Sequence, residues 1–275
     1  MVVKSDLDSY DEILYAIVEK TFNDENAMEI HDISIVTLYS SMVEKARSIQ
    51  LLIDNKLFDS VEVIQRSMVE QNVSLKYILQ KDTIRRGRAF FYGHRYKEIK
   101  DIEDTLSYHP DRELIESIKQ GIKEKFEIES KKKYGTFDEY QASIVEKYDE
   151  LFQKRIKNRK YWFNIDGQAK SIAKLFELMG EANEYYGLYV PNSAYTHGSG
   201  IVTDTNVKKG MFEIKKSINP RMINVVIMKN LKESIEAIGK YYGVEVKKDQ
   251  RTAAKYQKIV INYKYNNMKE FDWPI

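Results

Sequence analysis

One stretch, Asp59 to Gln80, constrains this chain more than any other; it reads DSVEVIQRSMVEQNVSLKYILQ. Placed on a helix at about 100° per residue, Ile64, Met68, Leu75 and Leu79 fall on one side, and Val63, Val69, Val73 and Tyr77 on the other. A helix apolar on two faces is a buried helix. Arg66 and Glu70 stand one turn apart in the middle of the second apolar face. Two charges placed there need each other or a ligand, because an unpaired buried charge costs on the order of several kcal/mol.

With 275 residues the chain can bury a substantial core, as one large domain or two small ones. Only four prolines and 12 glycines interrupt it, which favours helix. Lys and Arg total 44 against 42 Asp and Glu, so the formal charge of +2 gives no global reason for a polyanion partner, although a local patch can still bind one. The absence of cysteine excludes disulfides, thiolate zinc sites and a cysteine nucleophile. The first residues, MVVKSDLDSYDE, lack the apolar run of a signal peptide, and no window approaches the roughly 18 apolar residues of a membrane span. The expectation is a soluble, cytoplasmic protein without a membrane partner.

Along the chain, Ser9 and Glu12 form a capping-box pattern before Ile13, Leu14, Ile17, Val18 and Phe22. A second helix is expected from Asp32 to Asp54 on Ile35, Leu38, Met42, Ala46, Ile49 and Ile53, with Asn55 and Lys56 as a short connection back into the central helix. Asp82 to Leu106 reads as a helix with a bend at Gly93, ended by His109 and Pro110. Asp111 to about Lys133 reads as a solvated amphipathic helix. Thr136 and Glu139 offer a second capping box for a helix through Ile156, and Asp166 a cap for a helix from about Gln168 to Met179, closed by Gly180. Asn183 to Val190 is tyrosine-rich and helical, and Pro191 opens the strongest loop signal, PNSAYTHGSG. Between IVT and VKKGMFEI, the residues Thr203 to Asn206 resemble a turn. A further helix is expected over Arg221 to Tyr242, buried on Val225, Met228, Leu231, Ile235 and Ile238, and Thr252 to Asn266 reads as helix or strand. The predicted fold class is all-α, a multi-helix bundle around a buried central helix, with a small β-hairpin insertion near 201–216. The chain is read as a single helical domain, 1–275, with a helical extension over 221–275.

Three constellations carry chemistry. Arg66-x-x-x-Glu70 is either a structural pair tying helices together or a ligand-facing couple, in which the guanidinium fork, always ionised, would hold a phosphate. Ser193-Ala-Tyr-Thr-His197-Gly-Ser199-Gly places a histidine among small residues that let backbone approach a ligand. Histidine is the usual acid or base near neutral pH. Ser193 lacks the strand-to-helix elbow of a hydrolase nucleophile. Arg88 and His94 meet the Arg-x(4 to 6)-His pattern of HEPN ribonucleases, but six residues turn a helix through about 240°, so the two point apart unless Gly93 bends it. The basic and aromatic run RIKNRKYWF, Arg155 to Phe163, is a solvated helix end entering a core cluster or a phosphate-and-base contact. No phosphate-cradling loop, Rossmann fingerprint or His-Glu-x-x-His occurs, so no metal or cofactor is predicted.

Two blocks carry a resemblance: SSMVEKARSIQLLIDNKLFDSVEVIQRSMVEQNVSLKYIL and AKSIAKLFELMGEANEYYGLYVPNSAYTHGSG. Over about Asp32 to Gly200 the chain resembles a mostly bacterial, all-α domain-of-unknown-function family, number 5677, whose Arg-x3-Glu and Ser-x3-His motifs map onto Arg66, Glu70, Ser193 and His197. More distantly it is similar to HEPN-like proteins of phage defence and toxin systems, which implies metal-independent RNA cleavage. The expected function is therefore an endoribonuclease of a defence or stress system. Arg66, Glu70 and His197 would be catalytic, with Ser193, Tyr77 and Arg88 on the substrate. The alternative is a non-enzymatic sensor or scaffold that binds RNA, a nucleotide, a protein partner or a second copy of the chain in the same pocket.

Overall fold

A computed structural model of the chain describes residues 4–23, 26–108, 111–129, 134–157, 159–199, 205–208, 211–214 and 218–246. The expectation for Thr252 to Asn266 lies outside these residues, as does His109. The helices are α1 (Lys4–Thr21), α2 (Ile30–Asp54), α3 (Val61–Gln80), α4 (Thr83–Tyr108), α5 (Arg112–Glu129), α6 (Phe137–Glu150) and α7 (Ile172–Leu178). There follow α8 (Ala182–Glu184), a π-helical turn (Tyr185–Tyr189) and α9 (Val190–Thr196), which run on without a break, and later α10 (Pro220–Tyr241). The bundle is all-α. Outside it, Thr205–Lys208 (β1) pairs antiparallel with Met211–Ile214 (β2), Thr205 opposite Ile214 and Lys208 opposite Met211.

The two apolar faces of α3 enter two different cores. Val61, Met68, Leu75 and Ile78 join Leu14 and Ile17 of α1, Ile35 and Met42 of α2, and Leu231 and Ile235 of α10. Val69, Val73 and Tyr77 join Phe163, Leu175, Phe176 and Tyr189. A further cluster forms where Ala89 and Tyr92 of α4 meet Ile144 and Tyr148 of α6, with Phe152 and Ile165. Each fully buried large apolar side chain contributes on the order of 1.5–3 kcal/mol. Trp162 packs against all three clusters.

Close helix approaches depend on absent side chains. A Cβ on Gly87 would lie 2.6 Å from Cβ of His31, and the Ser34 hydroxyl donates to the Gly87 carbonyl at 2.9 Å, which sets α4 hard against α2. A Cβ on Gly93 would lie 2.5 Å from Cβ of Trp162. Gly93 is therefore required for packing, and α4 runs through it as one helix.

Other boundaries also moved. Leu7, two turns before Leu14, is also buried; α1 starts at Lys4, and Ser9 with Glu12 lies inside it. The Thr136 box is as expected: Glu139 N donates to Thr136 Oγ1 (3.2 Å) and Thr136 N to Glu139 Oε2 (3.3 Å), although the helix ends at Glu150. Ser171, not Asp166, caps α7, receiving the Lys174 amide at 3.2 Å, because Asp166 is engaged elsewhere. Pro191 does not open a loop. It falls in the first turn after the π-helical turn, where a missing N–H is tolerated, and helix continues to Thr196. On α10 the buried side is Ile223, Ile227, Leu231, Ile235 and Ile238, and Val225 faces outward.

Polar contacts fix how the helices meet. Asn72 donates to Asn230 (3.2 Å) and accepts from Ser234 (2.8 Å), a fully buried link between α3 and α10. Lys76 joins α3 to both Glu181 and Glu233, the latter at 2.7 Å. No described helix is long and apolar enough to cross a membrane.

Candidate functional site

Arg66 lies in the second turn of α3 and is only half-buried, at the rim of the second face rather than in its middle. Its partner is not Glu70. Nη2 donates to the Tyr189 hydroxyl at 2.7 Å, Nη1 reaches Thr196 Oγ1 at 3.5 Å, and the guanidinium carbon stands 4.5 Å from the centroid of the Tyr189 ring. Arg66 Nε is buried and makes no hydrogen bond among the described residues. The Glu70 carboxylate lies close to the same phenol. Tyr189 is thus the pivot between the two charges, which explains why an arginine and a glutamate four apart need not pair directly.

The phenol's own chemistry follows. Burial raises the Tyr189 pKa, Glu70 raises it further, and the Arg66 hydrogen bond opposes them without reversing the shift. At neutral pH Tyr189 is therefore a protonated hydroxyl, a donor and acceptor rather than a base.

The π-helical turn brings Tyr189 here. A π-turn closes i to i+5 and inserts one more residue than an α-turn, so side chains beyond it are rotated relative to those before it. Tyr189 stacks on Tyr185 (centroids 5.4 Å apart, planes at 17°) and leans on Phe176. One turn on, buried Asn192 donates to buried Gln65 Oε1 at 3.2 Å. Gln65 and Arg66, neighbours on α3, hold Asn192 and Tyr189. Sequence reasoning missed Tyr189 and Gln65; the signal available was the tyrosine pair one turn apart, Tyr185 and Tyr189, beside the motif that ends in His197.

The other nominated residues divide. His197 directly follows Thr196, caps α9 through its backbone N–H to Ser193 O (3.2 Å), and presents an exposed side chain. Ser193 sits in the same turn, but its hydroxyl donates back to the Tyr189 carbonyl at 2.7 Å. Tyr77 is a core residue: its hydroxyl donates to Phe163 O (2.8 Å) and its ring covers Arg86, so it does not join the Arg66 cluster as a substrate contact. Arg88 is tied to Glu29 at 2.9 Å, beside His31, and also stands apart from the cluster. His94 lies on the unbroken α4, exposed, with its ring 4.5 Å from that of Phe90. Arg88 and His94 thus have separate partners, as a six-residue spacing within one helix favours. The remaining basic cluster is architectural. Arg85 donates to the carbonyls of Leu151 (2.8 Å) and Ile165 (3.3 Å), and Arg86 donates to that of Tyr77.

His31, in the first turn of α2, belongs to the interior. It is buried, with Nε2 3.3 Å from Asp32 Oδ1, which also accepts from the Tyr242 hydroxyl at 2.7 Å. Among the described residues, no three His, Asp or Glu side chains converge to hold a metal ion.

The structure therefore brings Arg66, Glu70, Tyr189 and Thr196 together, with His197 the next residue. A guanidinium held by hydroxyls at the rim of a helix can bind an anionic group, and the residue after Thr196 is an exposed histidine, a side chain able to exchange protons near neutral pH. No curated protein and no solved structure matches the chain. A family model described as a family of unknown function (DUF5677) matches residues 32–214, a span that runs from α2 to the end of β2 and contains the whole Arg66–Tyr189–His197 arrangement. The chain belongs to this DUF5677 family.

Proposed function

We propose that the protein is a metal-independent endoribonuclease, with Arg66 as the phosphate ligand and His197 as the proton-transfer group. The observation that carries this reading is the Arg66 guanidinium fixed over Tyr189 and against Thr196, one residue from His197. The reaction class is the one implied by the resemblance, read from the sequence, to HEPN-like defence and toxin proteins. In such a reaction the ribose 2′-hydroxyl attacks the adjacent phosphorus and the bond to the 5′-oxygen breaks, leaving a 2′,3′-cyclic phosphate and a 5′-hydroxyl. Arg66 offsets the charge growing on the phosphoryl oxygens. His197 takes the 2′ proton or delivers one to the departing oxygen. Glu70 acts through Tyr189, holding the phenol so that it holds Arg66. Purified protein is expected to cut total RNA in EDTA, and Arg66→Ala and His197→Ala each to abolish cleavage. Activity that survives both changes would overturn the assignment.

One observation favours a second reading, a non-enzymatic sensor that binds a nucleotide or RNA end at the same place. Arg66 is already engaged by two protein hydroxyls, as suits a binding residue held in position. A ligand that raises the melting temperature while no RNA is cut would support the sensor over the nuclease.

A further inference from the structure

Away from Arg66, the segments around Arg155 and Asp166 line a half-open surface concavity of about 560 Å³. Arg155, Lys157 and Lys170 line it, with Ile156, Asp166 and Gly167. The walls are held from behind by Arg85, which donates to Leu151 O on one segment and to Ile165 O and Asp166 Oδ1 (2.9 Å) on the other. Gln153 adds a backbone bond to Ile165 O (3.0 Å) and a side-chain bond to Asp166 Oδ1 (3.2 Å). Gly167 adopts φ +74°, and a Cβ there would meet Ile156 at 2.5 Å.

The charge balance is what singles out this cavity. Its carboxylate, Asp166, is already answered by Arg85, which is not among the lining residues. Among the described residues, Arg155 uses only Nε, on Gln153 Oε1 at 3.0 Å. Lys157 and Lys170 make no ion pair among the described residues, whereas Lys97, Lys119 and Lys174 each pair with a carboxylate about one turn away on their own helices. Three unanswered cations around one preformed concavity call for a multiply charged anion with several acceptor oxygens. A phosphate meets that description, and the guanidinium fork matches its geometry. We infer that this cavity is a second, phosphate-binding site, which takes the phosphates of a nucleotide or of an RNA segment. The inference is independent of the nuclease reading, since none of its residues touches Arg66.

The test uses the full chain and a fluorescent single-stranded RNA whose 2′-oxygens are methylated, so that it cannot be cut by 2′ attack. Anisotropy is followed across a salt series for the native chain, for the triple variant Arg155→Ala, Lys157→Ala, Lys170→Ala, and for a control triple variant Lys97→Ala, Lys119→Ala, Lys174→Ala that removes the same charge. For the first triple variant, affinity should fall at least ten-fold and the slope of log K against log salt should flatten by about 2, at roughly 0.7 per lost phosphate contact. The control should bind as the native chain does, with all melting temperatures alike because the substituted side chains are exposed. Displacement of the probe by AMP assigns the site to nucleotide phosphates, and resistance to AMP assigns it to the RNA backbone. Equal loss in both triple variants, or loss in neither, overturns the inference. Arg66→Ala should leave this binding intact, which separates its failure from that of the nuclease reading.

Discussion

Arg86 and Tyr77 are held face to face, the guanidinium carbon 3.7 Å from the ring centroid, while Arg86 Nη1 donates to the backbone carbonyl of the same tyrosine. Arg86 is among the most buried side chains described, 1% exposed, and no carboxylate pairs with it among the described residues. The Tyr77 carbonyl belongs to the last turn of α3, where four carbonyls lack helical partners and the helix dipole is negative. A buried arginine thus caps the central helix from the next one, and burial pulls its pKa down.

That arrangement predicts a graded loss of stability. Arg86→Ala leaves a cavity and an uncapped helix end and should cost about 3 kcal/mol or more. Arg86→Lys keeps a charge but loses the planar stack, and about 1–2 kcal/mol is expected. Urea unfolding of the two variants checks the order; a lysine variant as unstable as the alanine one would contradict the capping account.

Tyr189→Phe should separate positioning from folding. Losing one hydroxyl costs about 1 kcal/mol of stability, yet Arg66 loses its 2.7 Å anchor. If the nuclease reading holds, RNA cleavage should fall ten-fold or more with the melting temperature nearly kept. Cleavage at native rate in this variant would show that Arg66 needs no such support.

Glycine replacements test the helix crossings. Gly87→Ala and Gly93→Ala each set a methyl within 2.6 Å of neighbouring heavy atoms, and overpacking of this kind costs about 1–3 kcal/mol. Gly121→Ala on α5, with open space around it, should instead be stabilising by up to about 1 kcal/mol. Thermal melting of the three variants reads this out directly.

Alkaline pH should unfold the protein through its buried phenols. Burial pushes the Tyr77 pKa up to about 12 from an ordinary 10.0. Above pH 10 the unfolded chain releases this proton before the folded one does, so the stabilising contribution is full below pH 10 and lost as pH rises towards 12. The loss is about 1.4 kcal/mol per pH unit for one such group. Tyr77→Phe should flatten the fall in stability over that window, as measured by denaturation at pH 8 to 11; an unchanged slope would point to the other buried tyrosines, Tyr39, Tyr148 and Tyr242, whose pKa values are also raised.

Much of this was legible in the residues because helix periodicity is a local property. The two-sided pattern of α3 correctly implied a buried central helix, and the Thr136 box marked a real helix start. What periodicity could not convey was which arginine is buried. Arg66 sits among valines and is half-exposed, whereas Arg86 sits in a basic triplet and is sealed, because burial depends on which helix crosses there. The π-helical turn was equally hidden: Tyr185 to Tyr189 has ordinary helix composition, and nothing in it announces one residue too many.

That extra residue amounts to a phase setting. Deleting one residue from Tyr185–Tyr189 would restore α geometry and swing everything beyond it by about 100°, one residue's turn of a helix. Asn192 and Thr196 would leave Gln65 and Arg66 in a single step, and His197 would leave with them. The two halves of the candidate site are therefore kept in register by chain length within one turn, so a one-residue deletion there would act more severely on the site than most substitutions of the residues that form it.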